Sequence, residues 1–318
     1  MWNPQDRWFA IVNPVAGSGR GLKDWPIISK LLRDTNIAFD AVFTEKKYHA
    51  TELAVEAVNK DYRKIIVVGG DGTLHEVVNG LFIQKKCSTT DVILSVIAVG
   101  TGNDWIRMFG IPRKYTEAIK AIADEKTFLQ DVGRISYYES FVHQVRYMAN
   151  VAGVGFDAVV NRRYNRLKER GVYNKLLYVF SMGLSVFSYR SRYFRMWVDG
   201  KEVLSEKVFT GAIGIGKYNG GGMQQIPHAV ADDGLLDITM IKKMNNFNVF
   251  LHIKSLYNGN IYNVPRSMFA RGETVRIECE PESPIEIDGE ALGYSPFEFH
   301  VIPKALKVIV GEKFLIEK

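Results

Sequence analysis

Two glycine turns, each beside an acidic residue, are where this sequence is best equipped to do chemistry. The first, Gly69-Gly70-Asp71-Gly72-Thr73, follows the apolar β-branched run Ile65 to Val68 and opens a helix. Glycine at 69, 70 and 72 permits positive φ and leaves no Cβ between the backbone amides and an anion. Exposed amides and the helix dipole at such a junction favour phosphate. Thr73 and Glu76 have capping-box spacing, while Leu74, Val77, Val78 and Leu81 form one apolar helical face. Asp71 suits an anion site only if it meets a divalent cation, which points to metal-bound nucleotide. The second turn, Gly100-Thr101-Gly102-Asn103-Asp104, repeats this arrangement after Val96 to Val99.

Two further carboxylate motifs lie downstream. Asp232-Asp233-Gly234, after the Gly220-Gly221-Gly222-Met223 stretch, has paired carboxylates on a turn and can hold a divalent cation. Ile285-Glu286-Ile287-Asp288-Gly289-Glu290 ends an apolar strand on an Asp-Gly turn. Val198-Asp199-Gly200 has the same form and is most simply a type I′ hairpin, so Asp288 taken alone reads as a turn residue.

Positioning these turns requires a particular order of elements. Strands at Trp8 to Val12, Phe39 to Thr44, Lys64 to Val68 and Val92 to Val99 alternate with helical stretches near 22–34, 49–59 and 73–82. Such alternation predicts a parallel sheet whose ligand crevice lies beyond the strands' carboxyl ends, where Asn13, Thr44, Gly70 to Glu76 and Thr101 converge. Gly17, Gly19 and Gly21 do not complete a dinucleotide-binding fingerprint, because Leu22 stands at the third glycine position. No Walker lysine follows either turn. After about Asp131 the pattern changes to short alternating strands, which predicts an antiparallel sandwich. A helical insertion near 161–190, basic at Arg162, Arg163, Arg166, Lys168 and Arg170 and then apolar from Leu176, is either a membrane-facing element or a helix over the sandwich with a solvated basic face.

The 318 residues, 47% of them apolar, favour two domains. Forty-one basic against 35 acidic residues leave +6, spread along the chain, which suits an anionic substrate or membrane surface. Cys87 and Cys279 propose neither a zinc site nor a disulfide framework. The N-terminus lacks a signal-peptide pattern, and the run Leu176 to Tyr189 is too short to span a bilayer, so a cytoplasmic protein is expected.

Taken in order, these motifs resemble the diacylglycerol kinase catalytic-domain family, which includes stand-alone bacterial lipid kinases and is related to sphingosine and ceramide kinases. The match spans Asn13-Pro14 with Gly17-Ser18-Gly19, Thr44-Glu45, Gly69 to Thr73, Gly100 to Asp104, Gly220 to Met223, Asp232 to Asp237 and Asp288 to Glu290. The resemblance implies a Rossmann-like α/β domain, similar to that of phosphofructokinase and NAD kinase, over 1–130 with 303–318 returning. It also implies an antiparallel β-sandwich lipid-substrate domain over 131–302.

For the site, the resemblance implies that Asn13, Thr44, Gly70, Asp71, Gly72, Thr73, Leu74, His75, Glu76, Thr101 and Asp104 serve ATP and its magnesium. Asp233 with the Val230 and Leu235 carbonyls would hold a structural Mg2+ or similar cation. Asp288 would be the catalytic base, with Glu290 in reserve. A lipid kinase acting on a diacylglycerol-like hydroxyl is expected, peripherally bound at a membrane surface, without nucleic acid and with a homodimer left open. A kinase of a soluble substrate such as NAD shares only the first turn. An inactive lipid- or nucleotide-binding regulator remains the reading from another class.

Overall fold

Apolar strands separated by helices build the first layer as their pattern predicts. The computed structural model describes residues 3–100, 102–169 and 189–317. Strands β1 (Trp8–Val12), β2 (Phe39–Phe43), β3 (Lys64–Gly69) and β4 (Ile93–Ala98) are parallel in the order β2-β1-β3-β4, with Val12 beside Val68 and Val68 beside Ile97. Their β-branched side chains are buried because helices cover the sheet. Between them run α1 (Ala16–Asp34), α2 (His49–Asn59) and α3 (Asp71–Ile83), followed by α4 (Asp104–Met108) and α5 (Tyr115–Asp124). These elements belong to a unit of Met1–Val132 with Pro303–Lys318.

The second unit, Gly133–Ile302, is antiparallel. It contains most of β5 (Thr127–Glu139), then β6 (Val142–Met148), β7 (Val151–Gly155), α6 (Phe156–Glu169), β8 (Arg192–Val198), β9 (Lys201–Gly214) and β10 (Leu236–Lys242). Helix α7 (Asn246–Tyr257), β11 (Ser267–Gly272), β12 (Thr274–Glu280), β13 (Pro284–Ile287) and the start of β14 (Glu290–Ile309) complete it. Two long strands each serve two sheets: β9 pairs with β8 early and with β7 and β10 later, while β14 pairs with β13 and then β12. This sharing makes the sandwich. The end of β14 then runs parallel to β4 in the first unit, through Lys307 beside Ile93, and α8 (Glu312–Glu317) follows.

Of the expected insertion, α6 is described to Glu169, and Arg162 donates to the Tyr294 hydroxyl and the Leu292 carbonyl. The stretch 170–188, with Arg170, lies outside the described residues. No helix among the described residues is long and apolar enough to cross a membrane.

Candidate active site

In the first unit the loops after β1, β3 and β4 lie side by side because their strands are in register. Gly70 and Gly100 nearly touch: a Cβ on Gly100 would stand 3.0 Å from the Gly70 Cα and 2.7 Å from the Asn103 Oδ1. None of Gly69, Gly70 and Gly72 has positive φ, so that expectation is corrected; close approach by Thr73 is what demands glycine at 69. Left-handed backbone occurs instead in the first loop, at Gly17, Ser18 and Gly19, with φ of 60°, 60° and 89°. Asn13 ties the two loops together: its Nδ2 donates to Thr73 Oγ1 at 2.9 Å, and its backbone amide to the Val68 carbonyl. Thr44 is held beside them by its amide on the Val12 carbonyl. Thr101 lies outside the described residues.

The side chains of α3 depart from the expected assignment. Helix α3 starts at Asp71 with Gly70 as its uncapped N-cap, so the Thr73–Glu76 capping box does not form. Glu76 instead accepts the amides of Tyr48 and Ala50 at 3.0 and 3.1 Å, capping the start of α2. Leu74 and His75 are buried, and His75 sits against Asn79 Nδ2, so these side chains turn into the core. What α3 offers an anion is its first turn of amides, which helix geometry leaves without i−4 carbonyls. Asp71 also has a local partner for its charge. Its carboxylate accepts the amides of Asp104 and Trp105 at 3.1 and 3.2 Å, so the first loop caps the helix opened by the second. Asp104 is itself buried, with Arg107 Nε 3.9 Å away.

In the second unit, Asp288 and Gly289 form the β13–β14 hairpin turn with φ of 51° and 88°, much as Asp199 and Gly200 do at 49° and 79°. The two aspartates differ in what they hold. Asp199 accepts the Thr274 amide in solvent, whereas buried Asp288 accepts three successive amides, from Ala149, Asn150 and Val151, at 2.9 to 3.2 Å. Three of a carboxylate's roughly four acceptor positions are thus committed to backbone. Glu290 is half-buried at the first residue of β14, paired with Ile287 across the Asp288–Gly289 turn.

The same hairpin carries a residue for which the sequence suggested no role. Glu286 is buried in β13; its two oxygens accept Asn161 Nδ2 and Asn219 Nδ2, both at 2.7 Å. Left-handed glycines at 220, 221 and 222 fold the chain so that Met223 pairs back on Asn219, which sets the Asn219 amide in place. Asn219 Nδ2 also reaches Gln225, and Gln225 donates to Asp157 on α6. Burial pushes the Glu286 carboxyl up to about 8, partly offset by Asn219, and burial pushes Asp157 up to about 6. Side chains of this network line a cavity together with apolar side chains such as Phe156, Val160, Phe209, Met223 and Leu256.

Residues 7–135 match the diacylglycerol kinase catalytic domain, and residues 150–310 match the YegS C-terminal NAD kinase β-sandwich-like domain. This chain belongs to the diacylglycerol kinase family. A diacylglycerol kinase of Mycobacterium tuberculosis is 29% identical over 301 residues, covering 94% of each chain. One from Staphylococcus haemolyticus is 27% identical over 310 residues, covering 94% of this chain and 86% of the relative. Among solved structures, a diacylglycerol kinase of Bacillus anthracis superposes with a TM-score of 0.71 at 23% identity, covering 98% and 100% of the two chains. Yeast NADH kinase shares the fold at a TM-score of 0.55 and 12% identity, over 100% of this chain and 87% of that one. The α/β domain and β-sandwich expected of the family are therefore both present.

At the turn expected to hold a structural cation through Asp233 and the Val230 and Leu235 carbonyls, the Asp233 carboxylate is engaged by protein groups. One Asp233 oxygen accepts the Leu235 amide at 3.1 Å and the other accepts an Arg271 guanidinium nitrogen. Arg271 also clamps buried Asp237 at 2.7 and 3.2 Å, and Asp237 in turn takes the Val230 backbone. An arginine thus supplies positive charge beside this turn. Arg271→Ala strands the buried Asp237 carboxylate and is expected to cost about 2 kcal/mol, less than a fully buried pair because the arginine is half exposed. Urea unfolding measures it.

Sequence reasoning passed over Glu286, Asp157 and Arg271, and also Arg113, which donates to the Gly102 carbonyl at 2.6 Å and anchors the second loop. Glu286 alone had a visible signal: a carboxylate between Ile285 and Ile287 in an apolar run.

Proposed function

We propose that this chain transfers the γ-phosphoryl group of ATP to a hydroxyl of a diacylglycerol-like lipid at a membrane surface. The observation that carries this reading is the apolar cavity of the second unit, floored by Glu286 of the very hairpin that ends in Glu290. A cavity with walls of Phe, Val, Met and Leu suits an acyl chain. The relatives named diacylglycerol kinase, matched over nearly their whole lengths, support the same reading.

In this reading the first-turn amides of α3 and the glycine backbone of the second loop position the nucleotide's phosphates. Magnesium arriving with ATP supplies charge neutralisation, for which Asp71 and Asp104 are the nearby carboxylates. Glu290 accepts the hydroxyl proton as the lipid oxygen forms its bond to the γ-phosphorus and the bond to ADP breaks. Asp288 is a positioning residue, fixing the turn through the amides of 149–151. The test is turnover of labelled ATP over a panel of diacylglycerol, monoacylglycerol, ceramide, sphingosine and NAD. Label in phosphatidic acid is the expected result; label in NADP alone would overturn the reading.

The buried acid makes stability pH-dependent. Glu286 binds its proton more tightly folded, at about 8, than unfolded, near the ordinary 4.5, so stability is full below the unfolded value and falls as pH rises toward 8. Asp157 acts in the same direction between its ordinary 3.8 and about 6. The melting temperature should decline from pH 5 to pH 9. Glu286→Gln, which keeps the shape of the neutral acid, should flatten that decline in a calorimetric series.

A further inference from the structure

Helix α7 has two apolar faces, and only one of them is used inside the protein. Val249, His252 and Leu256 face inward and line the cavity, with Val249 packed on Phe156 and Phe209. Phe247 and Leu251, one turn apart on the opposite face, are 71% and 60% exposed. Lys254 continues their stripe and is also exposed. A large aromatic and a leucine standing together in water mark an interaction surface rather than ordinary surface scatter.

The surrounding charge identifies the partner's chemistry. From residue 238 to 272 the chain carries no carboxylate; Lys243, just before α7, and Lys254, on it, are exposed, while Lys242 and Arg266 pair with Glu206 and Arg271 with Asp233 and Asp237. At the start of α7 a shallow groove is lined by Lys207, Lys243 and Arg266 beside Asn245 and Asn248, where Glu206 is the acidic wall and is paired with Lys242 and Arg266. Apolar side chains ringed by lysine suit an anionic bilayer, with Phe247 and Leu251 entering the acyl boundary and the lysines meeting lipid phosphates. We propose that the outer face of α7 is the membrane-docking surface, so that one helix both rests on an anionic bilayer and walls the cavity that takes a lipid from it. This rests on the lipid-kinase reading for the cavity's occupant, but the docking itself does not depend on turnover.

Co-sedimentation of the full chain with vesicles tests it, using phosphatidylcholine alone against phosphatidylcholine containing about a third phosphatidylglycerol, without ATP. The parent should pellet with the anionic vesicles only. Phe247→Ser with Leu251→Ser, and separately Lys243→Glu with Lys254→Glu, should each weaken partition about tenfold or more while melting as the parent does. None of these four residues is needed for turnover of a water-soluble short-chain diacylglycerol, which should be unchanged, whereas turnover of vesicle-embedded diacylglycerol should fall with binding. Parent-like vesicle binding by both double variants would overturn the proposal. So would a parent that does not bind, or a parent dimer that the serine variant converts to monomer, since a second copy would then be the occupant. If the parent docks through these residues yet phosphorylates neither lipid, docking stands and the kinase reading falls.

Discussion

Glu290→Gln should lose lipid phosphorylation by about a hundredfold to ten-thousandfold, the usual worth of a positioned general base, while keeping its melting temperature and its affinity for ATP. Asp288→Asn should behave differently. Its carboxylate faces three backbone amides, so an amide group there points donors at donors and leaves at least one buried N–H without a partner. The expected cost is about 1–3 kcal/mol of stability, with activity falling as the turn that presents Glu290 loosens. Asp199→Asn, in the same turn type but in solvent, should change little. Single-turnover rates with urea unfolding of all three variants separate the roles. Full activity in Glu290→Gln with a dead but stably folded Asp288→Asn would return the base to Asp288.

The second large effect belongs to Gly100. Its missing side chain lets the two glycine loops approach, and a valine would place Cβ against the Gly70 Cα and the Asn103 side-chain Oδ1. Both neighbours are backbone or locked beside it, since Asn103 Nδ2 is held on the Gly100 carbonyl at 2.6 Å. The loops must therefore part, spoiling the amide array that receives phosphate. Gly100→Val should lose ATP binding in calorimetry by about a hundredfold, the order expected when a charge-assisted set of two or more hydrogen bonds is displaced. Gly200→Val is the companion: it strains a left-handed turn with nothing within 4 Å of the new Cβ.

Much of the architecture was legible because it is written in local periodicity. Apolar strands between helical stretches specify a parallel sheet, and the parallel order fixes which loops share an edge. The motif positions followed from that edge. What the sequence concealed were choices settled between residues far apart in the chain. Glu76 had the spacing to cap its own helix, yet the amides of Tyr48 and Ala50 lie within its reach and take it instead. Gly69 looked like a left-handed turn residue, while the actual constraint there is crowding by the Thr73 side chain. Asp233 has a partner that its motif does not name, Arg271, which β11 brings across to it by pairing with β10. Glu286 depends on Asn161 and Asn219, 125 and 67 residues away, and no local pattern announces such partners.

The central claim, phosphoryl transfer from ATP to a lipid hydroxyl, is tested most directly in one vessel. The purified chain is given γ-labelled ATP with magnesium, diacylglycerol in mixed micelles and NAD at equal concentration, and the organic and aqueous phases are then separated. The account predicts label in phosphatidic acid in the organic phase, and its loss in Glu290→Gln. Label confined to aqueous NADP, or retained as ATP while the chain binds both ligands, would contradict it.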